Sequence, residues 1–230
     1  MRIEIVEFVE GARKAVGLAV IIDVFRAFSV ECYAYDAGAV QIIATSEVEE
    51  AFRLRKHYSN SVLVGERDEK KIPGFDIGNS PTEILKTDLS GKTIIHTTTA
   101  GTQGLINACN ADIIITGSFV NAGAVVSYIR RMDPEVVYLV AMGYRATVTS
   151  EEDILCAELI KERLEGGFSI NDKTISALKN TSGKRFFSND NIDFSPPTDF
   201  FLCTMTDRFS FVLEALRRPD GNVSVIKKDI

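Results

Sequence analysis

The sequence has few of the residues from which zinc and redox sites are built. Its four cysteines, at positions 32, 109, 156 and 203, lie far apart, whereas such sites need two cysteines separated by a few residues. We therefore predict free thiols, buried in a reducing compartment. Only two histidines are present, and His57 falls in a highly charged stretch, which excludes a site with several histidine ligands. Any metal ion must then be held by carboxylates, which favours magnesium over zinc.

Positive charge and long apolar runs are also scarce. The 230-residue chain has a formal net charge of −6, which leaves no basic surface for nucleic acid. The apolar run near Gly17–Ile22 is far too short to span a bilayer, and the strand-like Met1–Ile5 lacks the apolar stretch of a signal peptide. We expect a cytoplasmic protein that does not bind membranes. Its acidity means that an anionic substrate needs local arginines, backbone N–H groups or a metal ion.

The common phosphate-binding motifs are absent as well. The chain contains neither a G-x-x-x-x-G-K-S/T loop nor a G-x-G-x-x-G fingerprint. The spacing from Cys203 to Arg208 is one residue too short for a C-x5-R phosphatase loop. Any phosphate chemistry must use other groups.

Short β-branched runs alternate with helical patterns along most of the chain. This alternation predicts an α/β protein, a layered α/β/α sandwich with a largely parallel sheet. The predicted strands are Gly17–Asp23, Val40–Ala44, Ser61–Gly65, Thr93–Thr97, Asp112–Thr116 and Val136–Met142. The predicted helices are Ser29–Gly38, Glu47–Tyr58, Gly101–Ala108, Phe119–Arg131 and Ser150–Leu164.

The last quarter of the chain is less regular. We divide the sequence into an α/β core over residues 1–182 and a C-terminal segment over 183–230, packed on the core or forming a second lobe. Within that segment, Gly183–Asp199 is typical of a loop, Phe200–Leu216 of a helix, and Asn222–Lys227 of an edge strand or tail.

Ligands of open α/β sheets collect at the carboxyl ends of the strands, where four polar stretches fall. The first follows the strand at Gly17. There Asp23 is able to bind a metal ion, and Arg26 is able to grip a phosphate with its planar fork. An equally good interpretation is a structural Asp–Arg pair, with Ser29 as the N-cap of the next helix.

The second stretch follows the strand at Thr93 and opens a helix. Its hydroxyls, glycines and backbone N–H groups suit an anion. The alternative is simple N-capping by Thr99 or Thr102. The candidate phosphate-binding residues here are Thr97, Thr98, Thr99, Gly101 and Thr102.

The third stretch is the long polar loop Gly65–Glu83, whose lack of an apolar face indicates a ligand rather than a core role. Glu66 and Asp76 are candidate metal ligands or acid–base groups, and Asn79 and Ser80 are candidate donors to an anion. A solvated surface loop is the alternative, because Pro-Gly and Gly-Asn pairs make turns wherever they occur.

The fourth stretch opens the helix at Ser150. Ser150 and Asp153 have the spacing of a capping box, a structural role. Glu152 has no such role, and acids crowded at the rim of a sheet suit a divalent cation.

Together these stretches resemble the 2-phosphosulfolactate phosphatase family. Its pattern combines a strand ending in D-V-x-R-A, a loop G-E-R…G-F-D-x-G-N-S-P-x-E, a T-T-x-G-T turn and a helix S-x-E-D-x-x-C-A. The matching blocks are Asp23–Ala27, Gly65–Glu83, Thr98–Thr102 and Ser150–Ala157. The loop block is the most specific of the four.

The resemblance implies a magnesium-dependent phosphatase that converts 2-phospho-3-sulfolactate to 3-sulfolactate and phosphate, a step of coenzyme M biosynthesis. Such a substrate carries phosphate, carboxylate and sulfonate. The countercharge would come from Arg26, Arg67 and Arg145, from backbone donors near Gly101 and from Mg²⁺.

We assign Asp23, with Glu66 or with Glu152 and Asp153, to the metal ion. Arg26 and the 97–102 turn would clamp the phosphate, and Asp76 or Glu66 would act as general acid or base. Direct attack by water and a phospho-enzyme route both remain open. So do a phosphatase for another small phospho-acid and a non-catalytic anion sensor. A homodimer would be ordinary for a domain of this size.

Overall fold

The apolar runs of the sequence form one ten-stranded sheet in the computed structural model, which describes residues 1–230. The strand order is β1-β8-β2-β7-β9-β10-β3-β6-β4-β5. The strands are β1 (Arg2–Glu7), β2 (Gly17–Ile22), β3 (Gln41–Ala44), β4 (Ser61–Arg67), β5 (Lys70–Lys71), β6 (Thr93–Thr97), β7 (Ala111–Gly117), β8 (Val136–Ala141), β9 (Phe211–Arg217) and β10 (Val223–Asp229). The helices are α1 (Phe8–Lys14), α2 (Ala27–Asp36), α3 (Val48–His57), α4 (Pro81–Ile84), α5 (Gly101–Asn107), α6 (Ala122–Met132), α7 (Glu151–Glu165), α8 (Asp172–Ala177) and α9 (Pro197–Cys203).

Two sets of parallel strands make up most of the sheet. The first is β1-β8-β2-β7 and the second is β3-β6-β4, and the antiparallel hairpin β9–β10 joins them. Each of the six predicted strands and five predicted helices corresponds to an observed element, within three residues at its ends. The predicted α/β class with a largely parallel sheet is confirmed.

Helices cover both faces of the sheet, because neighbouring residues of each buried strand point to opposite sides. Ile21 and Ile42 pack in an inner layer with α1, α2 and α5, and this layer contacts both strand sets. On the other face, Ile22 packs against α6 and α7, and Ile43 packs against α3. The inner layer is shared, so the two strand sets form one core.

The carboxyl ends of β2 and β6, one strand from each set, are brought together by the helices that follow them. Helix α2 follows β2 and helix α5 follows β6, and they touch at their first residues. A Cβ atom added to Gly101 would lie 2.7 Å from the Ala27 Cβ and 2.9 Å from Asp23 Oδ2. Only glycine allows this approach, which places the turns after β2 and β6 against each other.

The C-terminal segment differs from its prediction. The predicted helix Phe200–Leu216 is wrong beyond its first turn, because α9 ends at Cys203, residues 204–210 form turns, and β9 begins at Phe211. Val212, Leu213 and Ala215 are buried there as sheet residues. The predicted edge strand or tail is instead β10, in the interior of the sheet. Tertiary pairing decided both points, because a short apolar run does not specify its neighbours.

Further elements lie at the N-terminus and between the longer helices. The strand predicted at the N-terminus is present as β1, whereas α1 was not predicted. Short 3-10 turns occur at Phe119–Asn121, Leu178–Asn180, Ser182–Phe187 and Asn189–Asn191. Every helix of the structure is too short or too polar to cross a membrane.

The position of β9 and β10 predicts that residues 1–182 do not fold alone. A chain ending at Ser182 would leave β7 and β3 without their partners in mid-sheet and expose the apolar residues that the hairpin covers. We expect no cooperative thermal transition by circular dichroism. A chain ending at Lys228, which loses two exposed residues, is the control. Cooperative unfolding of the shorter chain would show that residues 1–182 are an independent core.

Candidate active site

A polar cleft lies where β2, β4, β6 and β8 reach their carboxyl ends. It encloses about 520 Å³, its open mouth included. Its wall contains six acids and three arginines, which is an excess of negative charge. The lining residues are Asp23, Phe25, Arg26, Glu66, Asp68, Glu69, Asn79, Thr99, Ala100, Gly143, Tyr144, Arg145, Ser150, Glu152, Asp153 and Arg185.

Asp23 lies at the floor of the cleft, directly after β2. Its Oδ1 accepts the Ala27 N–H at 3.1 Å, which fixes the carboxylate over the start of α2. The side chain is buried, and this burial raises its pKa to about 6, with the nearby Glu66 and Glu152 carboxylates acting in the same direction. The protein therefore holds the Asp23 carboxylate where its negative charge is unfavourable.

Asp153 connects three segments of the cleft wall. Its Oδ1 accepts the Val24 N–H at 2.8 Å, and its Oδ2 accepts the Gly143 N–H at 2.9 Å and the Ser150 hydroxyl at 3.3 Å. The predicted capping box is thus wrong, because the Asp153 carboxylate reaches the ends of β2 and β8 and not the Ser150 N–H. Burial and the nearby acids raise the Asp153 pKa well above its usual range.

Glu152, the next residue, is the least satisfied acid of the cleft. It is buried, and its Oε2 has no hydrogen-bond partner within the protein. Its Oε1 lies 4.0 Å from Arg185 Nη2, a long contact. Burial raises the Glu152 pKa. An orphaned buried carboxylate oxygen is rare, and here it points to a ligand.

Glu66 holds the turn that follows β6. Its Oε1 accepts the Thr99 N–H at 2.7 Å, and its Oε2 accepts the Thr99 hydroxyl at 3.1 Å and the Glu69 N–H at 2.9 Å. The Glu66 oxygens are engaged by these donors. This acid shapes the cleft by bringing the ends of β4 and β6 together.

The threonines after β6 mostly stabilise their own turn. Thr98 Oγ1 accepts the Thr102 N–H at 3.1 Å, and the Thr102 hydroxyl donates to the Thr98 carbonyl at 2.9 Å. The Thr97 hydroxyl donates to the Thr45 carbonyl at 2.6 Å. Of these three predicted phosphate ligands none lines the cleft, whereas Thr99 does and Gly101 adjoins Asp23. Neither Thr99 nor Thr102 is the N-cap of α5, because Ala100 occupies that position and makes no side-chain cap hydrogen bond.

Arg26 forms a buried structural pair, although not with Asp23. Its Nη1 donates to Asp199 Oδ2 at 2.7 Å and to the Phe194 carbonyl at 2.6 Å, and its Nη2 donates to the Glu69 carbonyl at 3.2 Å. Asp199 also accepts the Ser80 hydroxyl at 2.9 Å. Ser80 is therefore committed to this pair and to the start of α4. Ser29, the predicted N-cap, bonds instead to the Val24 carbonyl.

Two predicted site residues lie away from the cleft. Asp76 is paired with Arg55 of α3 at 3.0 Å and accepts the Leu63 N–H at 2.9 Å. Arg67 donates to the carbonyls of Ser46 and Glu66. Both side chains close their own loop, so the structure does not support an acid–base role for Asp76 or substrate binding by Arg67.

Two arginines stand at the mouth of the cleft, opposite the turn between β4 and β5. Arg145 contacts Asp68 at 2.6 Å, and Arg185 contacts Glu69 at 3.1 Å. Asp68 and Glu69 both have left-handed backbone, with φ of 54° and 68°. Arg145 was predicted as a substrate ligand, whereas Arg185 and Asp199 were missed. Their segment has no strand–helix pattern, so only its Lys-Arg and Asp residues could have signalled them.

The donor set of the cleft suits magnesium. The oxygens that no protein group engages are Glu152 Oε2 and Asp23 Oδ2, which are carboxylate oxygens of the type that magnesium prefers. No three acids are close enough together to hold an ion by themselves. Magnesium fits this arrangement, because it is commonly held by one or two carboxylates with water and substrate phosphate.

The fold and the cleft define an α/β protein with a carboxylate-rich site at the ends of its strands. By comparison with known proteins, the chain belongs to the 2-phosphosulpholactate phosphatase family, whose model matches residues 3–192. The resemblance predicted from the four motif blocks is confirmed.

Several relatives are named probable 2-phosphosulfolactate phosphatase. One from Caldanaerobacter subterraneus is 42% identical over 148 residues, which is 64% of this chain and 61% of the relative. One from Thermotoga petrophila is 35% identical over 207 residues, covering 84% and 87% of the two chains. One from Bacillus subtilis is 30% identical over 214 residues, covering 92% and 91%. The match thus spans about three fifths of the first relative and nearly all of the last.

The raised Asp23 pKa predicts that this residue destabilises the ligand-free protein at neutral pH. Between pH 3.8 and about 6 the folded protein binds a proton that the unfolded chain has released. The stability is therefore fully present below pH 3.8 and lost as the pH rises through 6. Asp23→Asn should raise the free energy of unfolding at pH 8 by up to about 3 kcal/mol, and change it little at pH 4.

Urea denaturation in the presence of a chelator measures this effect. Asp229→Asn, at an exposed carboxylate, is the control and should have no effect at either pH. Equal stability of Asp23→Asn and the unaltered protein at pH 8 would contradict the assignment of an unfavourable buried charge.

Proposed function

We propose that this protein is a magnesium-dependent phosphatase that hydrolyses 2-phospho-3-sulfolactate to 3-sulfolactate and phosphate, the reaction type used in coenzyme M biosynthesis. Family membership and the names of the relatives support the substrate. One structural observation carries the proposal: two buried carboxylates, Asp23 and Glu152, line the same cleft as Arg145 and Arg185. That arrangement suits an anion and a cation bound together.

Asp23 and Glu152 would hold the metal ion, because each has an oxygen that the protein does not use. When bound, Mg²⁺ would supply positive charge to the phosphoryl oxygens and make a coordinated water more acidic. Glu66 and Asp153 have a different task. Their oxygens bind backbone N–H groups of four strand ends, and they keep the ligands at a set separation.

The phosphoryl group would lie between these acids and the donors on the opposite wall. Asn79 and the start of α5 at Gly101 border this space. Arg26 also lines this space, but its guanidinium is bound to Asp199 and so serves to hold the wall in place. Fixed donors that need no rearrangement during the reaction are the main source of stabilisation for a phosphoryl-transfer transition state.

The rim arginines would bind the other two anionic groups of the substrate. Asp68 and Glu69 form ion pairs with Arg145 and Arg185. A carboxylate and a sulfonate on the substrate offer the same charge and the same acceptor oxygens. They would replace the two acids, so the rim would select small molecules with anionic groups beyond the phosphate.

A phosphate-release assay over a panel of phospho-acids, with and without Mg²⁺, tests the function. We expect release from 2-phospho-3-sulfolactate that depends on Mg²⁺ and is reduced at least 10³-fold in Asp23→Asn and Glu152→Gln. Asp229→Asn should match the unaltered protein. Faster phosphate release from another phospho-acid would identify that compound as the substrate instead. Tight binding without any release would establish an anion sensor in place of the enzyme.

Arg185 should set specificity rather than rate. We expect Arg185→Gln to raise the KM for 2-phospho-3-sulfolactate by about tenfold or more, because a charged hydrogen bond is lost. The KM for a phosphomonoester without other anionic groups should change less than threefold. Arg163→Gln, which alters an ion pair with Asp207 outside the cleft, is the matched control. An equal rise for both substrates would place Arg185 at the phosphate instead.

A further inference from the structure

Three polar side chains form a buried chain behind the cleft. Glu31 of α2 lies with its Oε1 2.9 Å from His96 Nδ1, and His96 Nε2 lies 3.3 Å from Asn79 Oδ1. Glu31 and His96 are 1% and 0% exposed, whereas Asn79 is 5% exposed and lines the cleft. This hydrogen-bonded row of Glu31, His96 and Asn79 therefore leads from the core to the cleft. The proposed mechanism uses only Asn79.

Hydrogen-bond chemistry constrains where the protons lie. A carboxamide oxygen only accepts, so an Asn79 Oδ1 that faces His96 requires a proton on Nε2. On the other side, Nδ1 and the Glu31 carboxyl share one further proton, on either atom. Glu31 Oε2 is buried without a hydrogen-bond partner, so a carboxylate charge there would be costly without a proton between Glu31 and His96. The two side chains therefore keep that shared proton.

The Asn79 amide can otherwise turn over. If Nε2 lacked its proton, the Asn79 amino group would donate to it, and Oδ1 would face the cleft. The cleft would then present an oxygen to an anion. Neighbouring donors do not replace the Asn79 amino group, because the Ser80 hydroxyl donates to Asp199 and the Gly78 N–H donates to Glu83 at 2.8 Å.

We infer that Glu31 and His96 are positioning residues, which hold Asn79 with its amino group toward the cleft as a donor to the phosphoryl oxygens. The expected loss of activity rests on the proposed function, whereas the orientation of the Asn79 amide does not. Asn79 is the only one of the three that touches the substrate.

A matched pair of variants separates positioning from mere packing. In His96→Gln the side-chain amide reaches the place of Nε2 and still donates to Asn79. In His96→Asn the amide reaches the place of Nδ1, contacts Glu31 and leaves Asn79 without a donor. The Asn variant leaves a cavity larger by one methylene, and the melting temperature of each variant measures that difference. We expect His96→Gln to keep within about tenfold of the original kcat/KM, and His96→Asn to lose about 10²-fold.

Two further variants change Asn79 and Glu31, the residues on either side of His96. Asn79→Asp keeps the acceptor for His96 and removes the donor, so we expect a loss of at least 10²-fold. Glu31→Gln can either donate to His96 Nδ1 or accept from it, so both orientations of the Asn79 amide become available, and we expect a loss between those of His96→Gln and His96→Asn. Equal losses in His96→Gln and His96→Asn, in step with their melting temperatures, would overturn the inference and leave a structural role.

The orientation is also testable without turnover. The chain has two histidines, so in a His57→Gln background every imidazole signal comes from His96. We expect an Nε2–H proton in ¹H–¹⁵N spectra, weakened in Glu31→Gln and shifted when inorganic phosphate binds with Mg²⁺. An absent Nε2–H signal would overturn the inference even in an active enzyme. A signal with the expected response, in a protein that releases no phosphate, would refute the proposed function alone.

Discussion

The structure depends on carboxylates that are kept out of water where four strands end. Asp23, Glu152 and Asp153 are all buried, and burial raises the pKa of each of them. Holding such charge is unfavourable for the folded protein, so the surrounding backbone must be rigid enough to keep it in place. The close contact of α2 with α5 at Gly101 and the hairpin in mid-sheet supply that rigidity.

The acids of the cleft divide into two groups by what their oxygens bind. Glu66 and Asp153 accept backbone N–H groups and hold strand ends together. Asp23 and Glu152 keep an oxygen free. Residues of the same chemical type that line one cleft therefore differ in their available oxygens, and only their hydrogen-bond partners distinguish them.

The C-terminal segment is part of the site as well as of the sheet. Asp199 neutralises Arg26 and connects it to Ser80, and Arg185 stands at the mouth opposite Glu69. Without Asp199 the guanidinium of Arg26 would be a buried unpaired charge. The segment with the weakest sequence pattern thus places two of the charges on which the cleft depends.

The sequence by itself determined the α/β class, most strands and helices, and the gathering of Asp23, Glu66, Asn79, Thr99, Glu152 and Asp153 at one sheet edge, because apolar periodicity and the turns after strands are local properties. It could not place β10, pair Arg26 with Asp199, or separate Asp76 and Arg67 from the cleft. These outcomes depend on contacts between residues distant along the chain. An arginine or a carboxylate finds whichever partner the folded backbone brings within reach, and no local pattern encodes that choice.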